Sequence, residues 1–324
     1  MTDLSTPDLY DVQRVRRATG LLREFNDLGV LGAADVHVAH RLGRLGDEPD
    51  DRVLLAVALT VRGLRAGSVC LEVATAQETT AVEDVPAEVV AALDWPPVGD
   101  WLTALEASPL VASGVDGDPT RPLRLVGSTL YLDRYWRQEQ RIATVLDEAA
   151  LRPAPAVDAA RLHTALDRLF PGTDPDRQRL AAVVATHRWV SVLAGGPGTG
   201  KTTTVAKLLA LLQDQADGAL RVALAAPTAV AAARLTFAAR GVARGFDAVD
   251  EERVGGLEAS TLHRLLGFRP GSRTRFRHDR ENRLPFDVVV VDEASMVSLT
   301  MMARLVDALR PDSRLILVLS LIHI

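Results

Sequence analysis

Lysine is almost missing from this chain. Of its 37 basic residues, 35 are arginine and two, Lys201 and Lys207, are lysine. Arginine can replace lysine on most solvated surfaces, so a lysine kept in such a composition marks a place where a wide, planar guanidinium does not fit. Cysteine occurs once, at Cys70, which excludes an intramolecular disulfide framework and a cysteine-based metal site. A single thiol suits a reducing cytoplasm, where the chain is expected to reside. Long apolar runs are also lacking. The run from Leu54 to Val61 is far shorter than the ~20 residues a membrane span needs, so no membrane partner is expected. The first residues, MTDLSTPDLYD, are acidic and unlike a signal peptide.

What is present fits globular domains. The 324 residues are 48% hydrophobic and 24% charged, which excludes a disordered or fibrous chain. The net charge of −5 is unevenly spread. Residues 1–150 carry 14 basic and 24 acidic groups, a net of −10; residues 151–324 carry 23 and 18, a net of +5. An acidic half followed by a basic half suggests two jobs, with the basic half the candidate for phosphate or nucleic acid. Two differently solvated surfaces would give the same figures.

Periodicity divides the chain further. Residues 9–27 predict a helix with apolar positions at Leu9, Val12, Val15, Leu21, Leu22 and Phe25. Asp50 and Asp51 open a buried helix that Gly67 closes, and 68–73 reads as a short strand. Prolines and glycines then cluster up to 121, which puts a domain boundary near 115. Gly127-Ser128 between PLRLV and TLYLD reads as a hairpin turn, and 134–150 as a helix. Residues 152–160 (RPAPAVDAA) read as a second linker. The resulting division is 1–115, a partner-docking domain; 116–160, hairpin, helix and linker; and 161–324, an α/β domain. From 178 onward strands and helices alternate, which argues a doubly wound parallel sheet with helices on both faces.

The strand 189–194 and the helix from 201 bracket Gly195-Gly196-Pro197-Gly198-Thr199-Gly200-Lys201-Thr202. This is a G-x-x-x-x-G-K-[ST] phosphate loop in the strand–loop–helix context it requires. Glycines let backbone N–H groups turn inward around phosphate oxygens, and the helix N-terminus adds positive potential. Lys201 is expected at the β- and γ-phosphates and the Thr202 hydroxyl at Mg²⁺, with Thr203 completing the cradle. Here a compact ammonium fits and a guanidinium does not. Lys207, on the following helix, reads as solvated surface. The second motif is Val288-Val289-Val290-Val291-Asp292-Glu293. A buried strand ending in two carboxylates would place Asp292 near Mg²⁺ and Glu293 near the attacking water. The two motifs together point to nucleotide hydrolysis.

These residues resemble one family: RecD, the alpha subunit of exodeoxyribonuclease V, a superfamily 1 helicase with 5′ to 3′ polarity. The resemblance rests on GGPGTGKTTT, on APTAVAAARL at 226–235, on TLHRLLG at 261–267 and on VVVVDEASMV at 288–297, in the family's order. VLLAVALTVRGLRAGSVCLEV and LYLDRYWRQEQRIA extend it into the N-terminal half. It implies that a RecA-like motor domain follows a smaller, mainly helical domain. It implies ATP and Mg²⁺ as cofactors, single-stranded DNA as track and the beta and gamma subunits as partners, in double-strand break repair and homologous recombination. Residue by residue, Gln178 would read the adenine edge, and Thr228, Arg234, Thr261 and His263 would touch DNA. Ala229-Val230 stand where the family usually has Gly-Lys, which removes one DNA-facing cation.

Other readings remain open at this level. The Arg-rich segment 268–283 reads as a solvated loop or as a loop near DNA phosphates. Trp136 reads as buried against the motor domain and Cys70 as a buried small apolar residue. A stand-alone RecD-like helicase, the helicase part of a conjugative relaxase, or a non-catalytic scaffold would also carry parts of the pattern. The last six residues, LSLIHI, match the translation of a transposon-adapter sequence. The chain is therefore expected to be the N-terminal half of such a subunit, able to bind ATP–Mg²⁺ but not to unwind DNA without the second motor domain.

Overall fold

The computed structural model describes residues 13–172, 176–216, 218–268 and 276–320. The chain forms two compact units that divide between Glu139 and Gln140. The division expected at 115 is displaced because the segment after it pairs with strands before it. β1 (Cys70–Glu72), β2 (Val111–Ser113), β3 (Leu123–Val126) and β4 (Thr129–Leu132) form one sheet in the order β1-β4-β3-β2. β3 and β4 are the expected hairpin, turning at Gly127 with φ +60°. β2 joins β3 in parallel, with Val111 opposite Leu123.

One buried arginine explains that parallel pairing. Arg124, 3% exposed, donates to the carbonyls of Gly114, Val115 and Gly117 and to Asp133 Oδ1 at 2.7 Å. A guanidinium carries enough donors to collect the whole 114–117 turn and to ion-pair with Asp133 at once. The stretch that reads as a linker is therefore pinned to β3.

The centre of this first unit is the helix Asp51–Arg65. The Asp50 carboxylate accepts from Arg52 N and caps it. Every residue from Val53 to Thr60 is buried, so this helix is covered on all sides by core. Trp101 lies against it, 1% exposed, with its indole N–H donating to Arg52 O at 2.7 Å. The first helix is shorter than the expected 9–27 and runs from Gly20 to Asp27. Buried Asn26 accounts for this. Its side chain accepts from Val15 N and donates to Gln13 O and Leu31 O, which holds residues 13–15 off the helix axis. Residues 9–12 lie outside the described residues. Two further readings change. Trp136 packs on Tyr131 within this unit, ring centroids 5.3 Å apart. Cys70 is half-buried, and burial pushes its thiol pKa up.

The second unit carries a parallel sheet of β5 (Val190–Gly195), β6 (Val222–Ala226), β7 (Ala259–Thr261), β8 (Val288–Val291) and β9 (Arg314–Ser320), in the order β5-β9-β8-β6-β7. The doubly wound expectation holds. The four valines of β8 are fully buried and alternate between layers. Val288 and Val290 enter the core beneath Leu208, Leu209 and Leu212; Val289 and Val291 enter the opposite core with Leu305 and Leu309. Each such valine contributes about 1.5–3 kcal/mol relative to an exposed one. Lys207 is not freely solvated. It is half-buried, with Nζ 4.7 Å from the Phe170 ring centroid, where an ammonium is attracted to the ring face. Among the described residues no helix is long and apolar enough to cross a membrane.

Asp287 ties the base of this sheet together. It accepts from Arg221 N at 2.8 Å and from Arg310 Nη2 at 2.6 Å. Burial opposes its charge, but the hydrogen bonds from Arg221 and Arg310 outweigh burial and hold its pKa at about 2.

Two predictions follow from these contacts. Arg124→Met should destabilise the first unit by about 3 kcal/mol in urea unfolding, the low end for breaking a buried pair because Arg137 still meets Asp133. An unchanged midpoint would contradict the pinning role. Asp287 has a depressed folded pKa, so its contribution is full above the unfolded value of about 3.8 and is lost as pH falls toward 2. The stability gap between wild type and Asp287→Asn should therefore be constant from pH 5 to 7 and close between pH 4 and 2.

Candidate nucleotide and nucleic-acid site

The phosphate loop leaves the C-terminal end of β5 and enters the helix Lys201–Gln215. Gly198 and Gly200 hold φ of +73° and +78°, a region closed to most side chains. Gly200 is also crowded: a Cβ there would lie 2.5 Å from Gln178 Nε2. That amide donates to Thr199 O at 3.0 Å, so Gln178 touches the loop directly. Thr199 Oγ1 donates to Gly196 O at 2.9 Å, and Lys201 Nζ donates to Gly195 O and Gly196 O at 2.8 and 2.7 Å. The lysine head thus lies against the carbonyls of Gly195 and Gly196, on the loop itself. Pro197 is exposed on the loop, and Thr202 and Thr203 are half-buried in the first helical turn.

Asp292 and Glu293 leave the C-terminal end of β8, the same sheet edge as the loop, with β9 between the two strands. Two strand spacings put β5 and β8 about 10 Å apart. Asp292 Oδ1 accepts from Glu293 N at 2.9 Å, which orients its carboxylate. Glu293 has φ +50°, a left-handed conformation that costs a non-glycine residue about 1–3 kcal/mol and recurs at functional sites. Nothing in the sequence marks that strain. The donor set fits Mg²⁺: one hydroxyl, one carboxylate, and a remaining shell of water and phosphate oxygen. A closed protein cage is not needed, and among the described residues no cluster of His, Cys, Asp and Glu forms one.

Thr228 follows the end of β6 and Thr261 is the last residue of β7, adjacent on this same edge. Both hydroxyls cap helices, accepting from Ala231 N and Arg264 N at 3.1 and 3.2 Å. Each hydroxyl accepts in these caps and still has its own O–H as a donor. His263 is exposed, with Phe268 and Phe276 at ring distances of 6.2 and 6.0 Å. Arg234 is exposed but lies six residues past Thr228, about 9 Å down the helix from the strand ends. Residues 269–275 of the Arg-rich segment lie outside the described residues.

Comparison with known proteins accounts for both units. Residues 27–131 match the family model described as the N-terminal domain of the RecBCD enzyme subunit RecD, and residues 178–319 match that of an AAA domain. The RecBCD enzyme subunit RecD of Mycobacterium tuberculosis is 51% identical over 318 residues, 96% of this chain and 51% of the relative. The chain belongs to the RecD family. The RecD subunit of Haemophilus influenzae is 36% identical over 74% of this chain and 38% of the relative. The ATP-dependent RecD2 DNA helicase of Deinococcus radiodurans is 35% identical over 58% of this chain and 23% of the relative. The chain spans about half the length of the mycobacterial RecD relatives it matches. The two matched segments fall one in each compact unit.

Among the glycines of the phosphate loop, Gly200 is the most sensitive, with both a left-handed φ and the tightest contact. Gly200→Ala combines a left-handed penalty of about 1–2 kcal/mol with a collision against Gln178. Affinity for a fluorescent adenine nucleotide should fall at least ~10-fold, on the scale of 1.4 kcal/mol per decade. Wild-type affinity would contradict the cradle as described.

Proposed function

We propose that this RecD-family chain is the ATP-binding, first-motor-domain portion of a helicase subunit. In the whole protein, ATP hydrolysis drives 5′ to 3′ movement along a DNA strand. The assembly is the exodeoxyribonuclease V complex with its beta and gamma subunits, acting in double-strand break repair and recombination. One observation carries the reading: the phosphate loop at the end of β5 and the Asp292–Glu293 pair at the end of β8 open on one edge of one parallel sheet. Thr228 and Thr261 leave that same edge, which is the place where DNA contacts and nucleotide can be coupled.

The residues take these roles. Backbone N–H groups of 196–200 and Lys201 hold the β- and γ-phosphates. Lys201 exchanges its present carbonyl partners for phosphate oxygens. Thr202 and Asp292 hold Mg²⁺, which when bound neutralises charge gathering on the phosphates. Glu293 orients the attacking water and accepts its proton. Gln178 reads the adenine edge while its own amide reports the loop's position through Thr199. Thr228, Arg234, Thr261 and His263 face the DNA. The match over 27–131 favours a complex-bound subunit over a relaxase or a stand-alone helicase.

In the full-length subunit, Glu293→Gln should keep ATP binding and lower DNA-stimulated hydrolysis by about 10²–10⁴-fold, the worth of a positioned base. Lys201→Arg should keep the fold and lose most hydrolysis, because a guanidinium is too wide for the loop. Turnover within a factor of two of wild type in either variant would sink its assigned role.

A further inference from the structure

The helix Ala229–Ala243 buries Ala231, Ala232, Leu235, Ala239 and Ala243 against the sheet. On its other side lies a stripe that the nucleotide site does not use: Val230, Arg234, Phe237, Gly241 and Arg244. The spacing of four, three, four and three places these positions on successive turns of one face. Phe237 is 81% exposed, an unusual position for a phenylalanine on a helix whose buried face is alanine and leucine. Arg234 and Arg244 are exposed and have no ion pair among the described residues. Arg240 alongside is occupied by Glu258 at 2.7 Å. A shallow cavity of about 430 Å³ flanks the ring, lined in part by Ala233, Gly241 and Arg244. An added Cβ at Gly241 would meet nothing within 4 Å, so the floor beside the ring is open.

The chemistry of this face selects its occupant. The aromatic ring is isolated: the nearest apolar member of the stripe, Val230, is seven residues or about 10 Å away along the axis. A protein partner needs a contiguous apolar centre, which this face lacks. A nucleic acid base needs one aromatic face and cations for the phosphates on either side. Arg234 and Arg244 stand about 15 Å apart along the axis, with Phe237 between them. The stripe also starts beside Thr228, at the sheet edge assigned to DNA. We propose that this helix face is a single-stranded nucleic-acid platform, with a base stacked on Phe237 and phosphates met by Arg234 and Arg244. The proposal rests on the reading of the chain as part of a DNA motor and extends its track down the helix.

Fluorescence anisotropy of a labelled oligothymidylate with this 324-residue chain tests it. Phe237→Ala should weaken binding roughly 5- to 150-fold, the loss of one stacked base, while Phe237→Trp should bind as tightly as wild type or tighter. Far-UV circular dichroism melts check that both variants are folded. The double variant Arg234→Gln, Arg244→Gln should reduce the slope of log affinity against log salt by roughly 1.4, two phosphates released from a single strand. If wild type binds the oligonucleotide and folded Phe237→Ala binds it equally well, the platform is overturned while the motor reading stands. If wild type binds none, the platform is overturned, and adenine-nucleotide binding by the same chain tests the motor reading separately. If polyglutamate displaces the labelled strand as well as unlabelled oligothymidylate does, the face reads acidic charge alone and base stacking is overturned.

Discussion

The chemistry of the second unit depends on where one buried strand stops. β8 is four valines with no exposed face, two committed to each layer of the sandwich. Such a strand cannot slip by one residue, because a slip would exchange the two sets of side chains between cores. Its C-terminal end is therefore fixed, and Asp292 and Glu293 emerge at a fixed place. β9 lies on one side of it and β6 on the other. β9 in turn pairs with β5, whose end carries the phosphate loop. The separation between loop and carboxylates is thus set by two rows of backbone hydrogen bonds, and side-chain packing only locks it.

Within that frame the loop is held in a strained but satisfied state. Two glycines supply left-handed φ angles, Thr199 closes the loop onto Gly196, and Gln178 braces it from the preceding helix. Lys201 satisfies the inward carbonyls. Glu293 adds a left-handed non-glycine residue across the site. Strain of this kind persists only where surrounding structure over-determines it, and here the valine strand behind Glu293 supplies that rigidity. The first unit reaches the same end by different means. Its buried arginine, Arg124, organises a turn that has almost no apolar side chains of its own.

Much of this was legible in the sequence, for identifiable reasons. The phosphate loop and the valine strand are local patterns whose residue types have few other uses, and β3, β4 and the helix Asp51–Arg65 carry turn and cap signals. What stayed hidden depends on contacts distant in sequence. Asn26 shortens the first helix by reaching back eleven residues to Val15. Arg124 converts an apparent linker into a paired strand. Lys207 reads as solvent-facing until Phe170, 37 positions earlier, is placed beneath its ammonium. Phe237 was visible in principle: it falls outside the 231-232-235-239 face, where a phenylalanine gains nothing from burial.

The central claim is that this sheet edge is a Mg²⁺–nucleotide site. Isothermal titration of the 324-residue chain with ADP in the presence of Mg²⁺ tests it most directly. The account predicts one site per chain, weaker without Mg²⁺ and abolished by Lys201→Ala. Heat of binding that persists unchanged in Lys201→Ala, or no saturable binding by a folded wild-type chain, would contradict it.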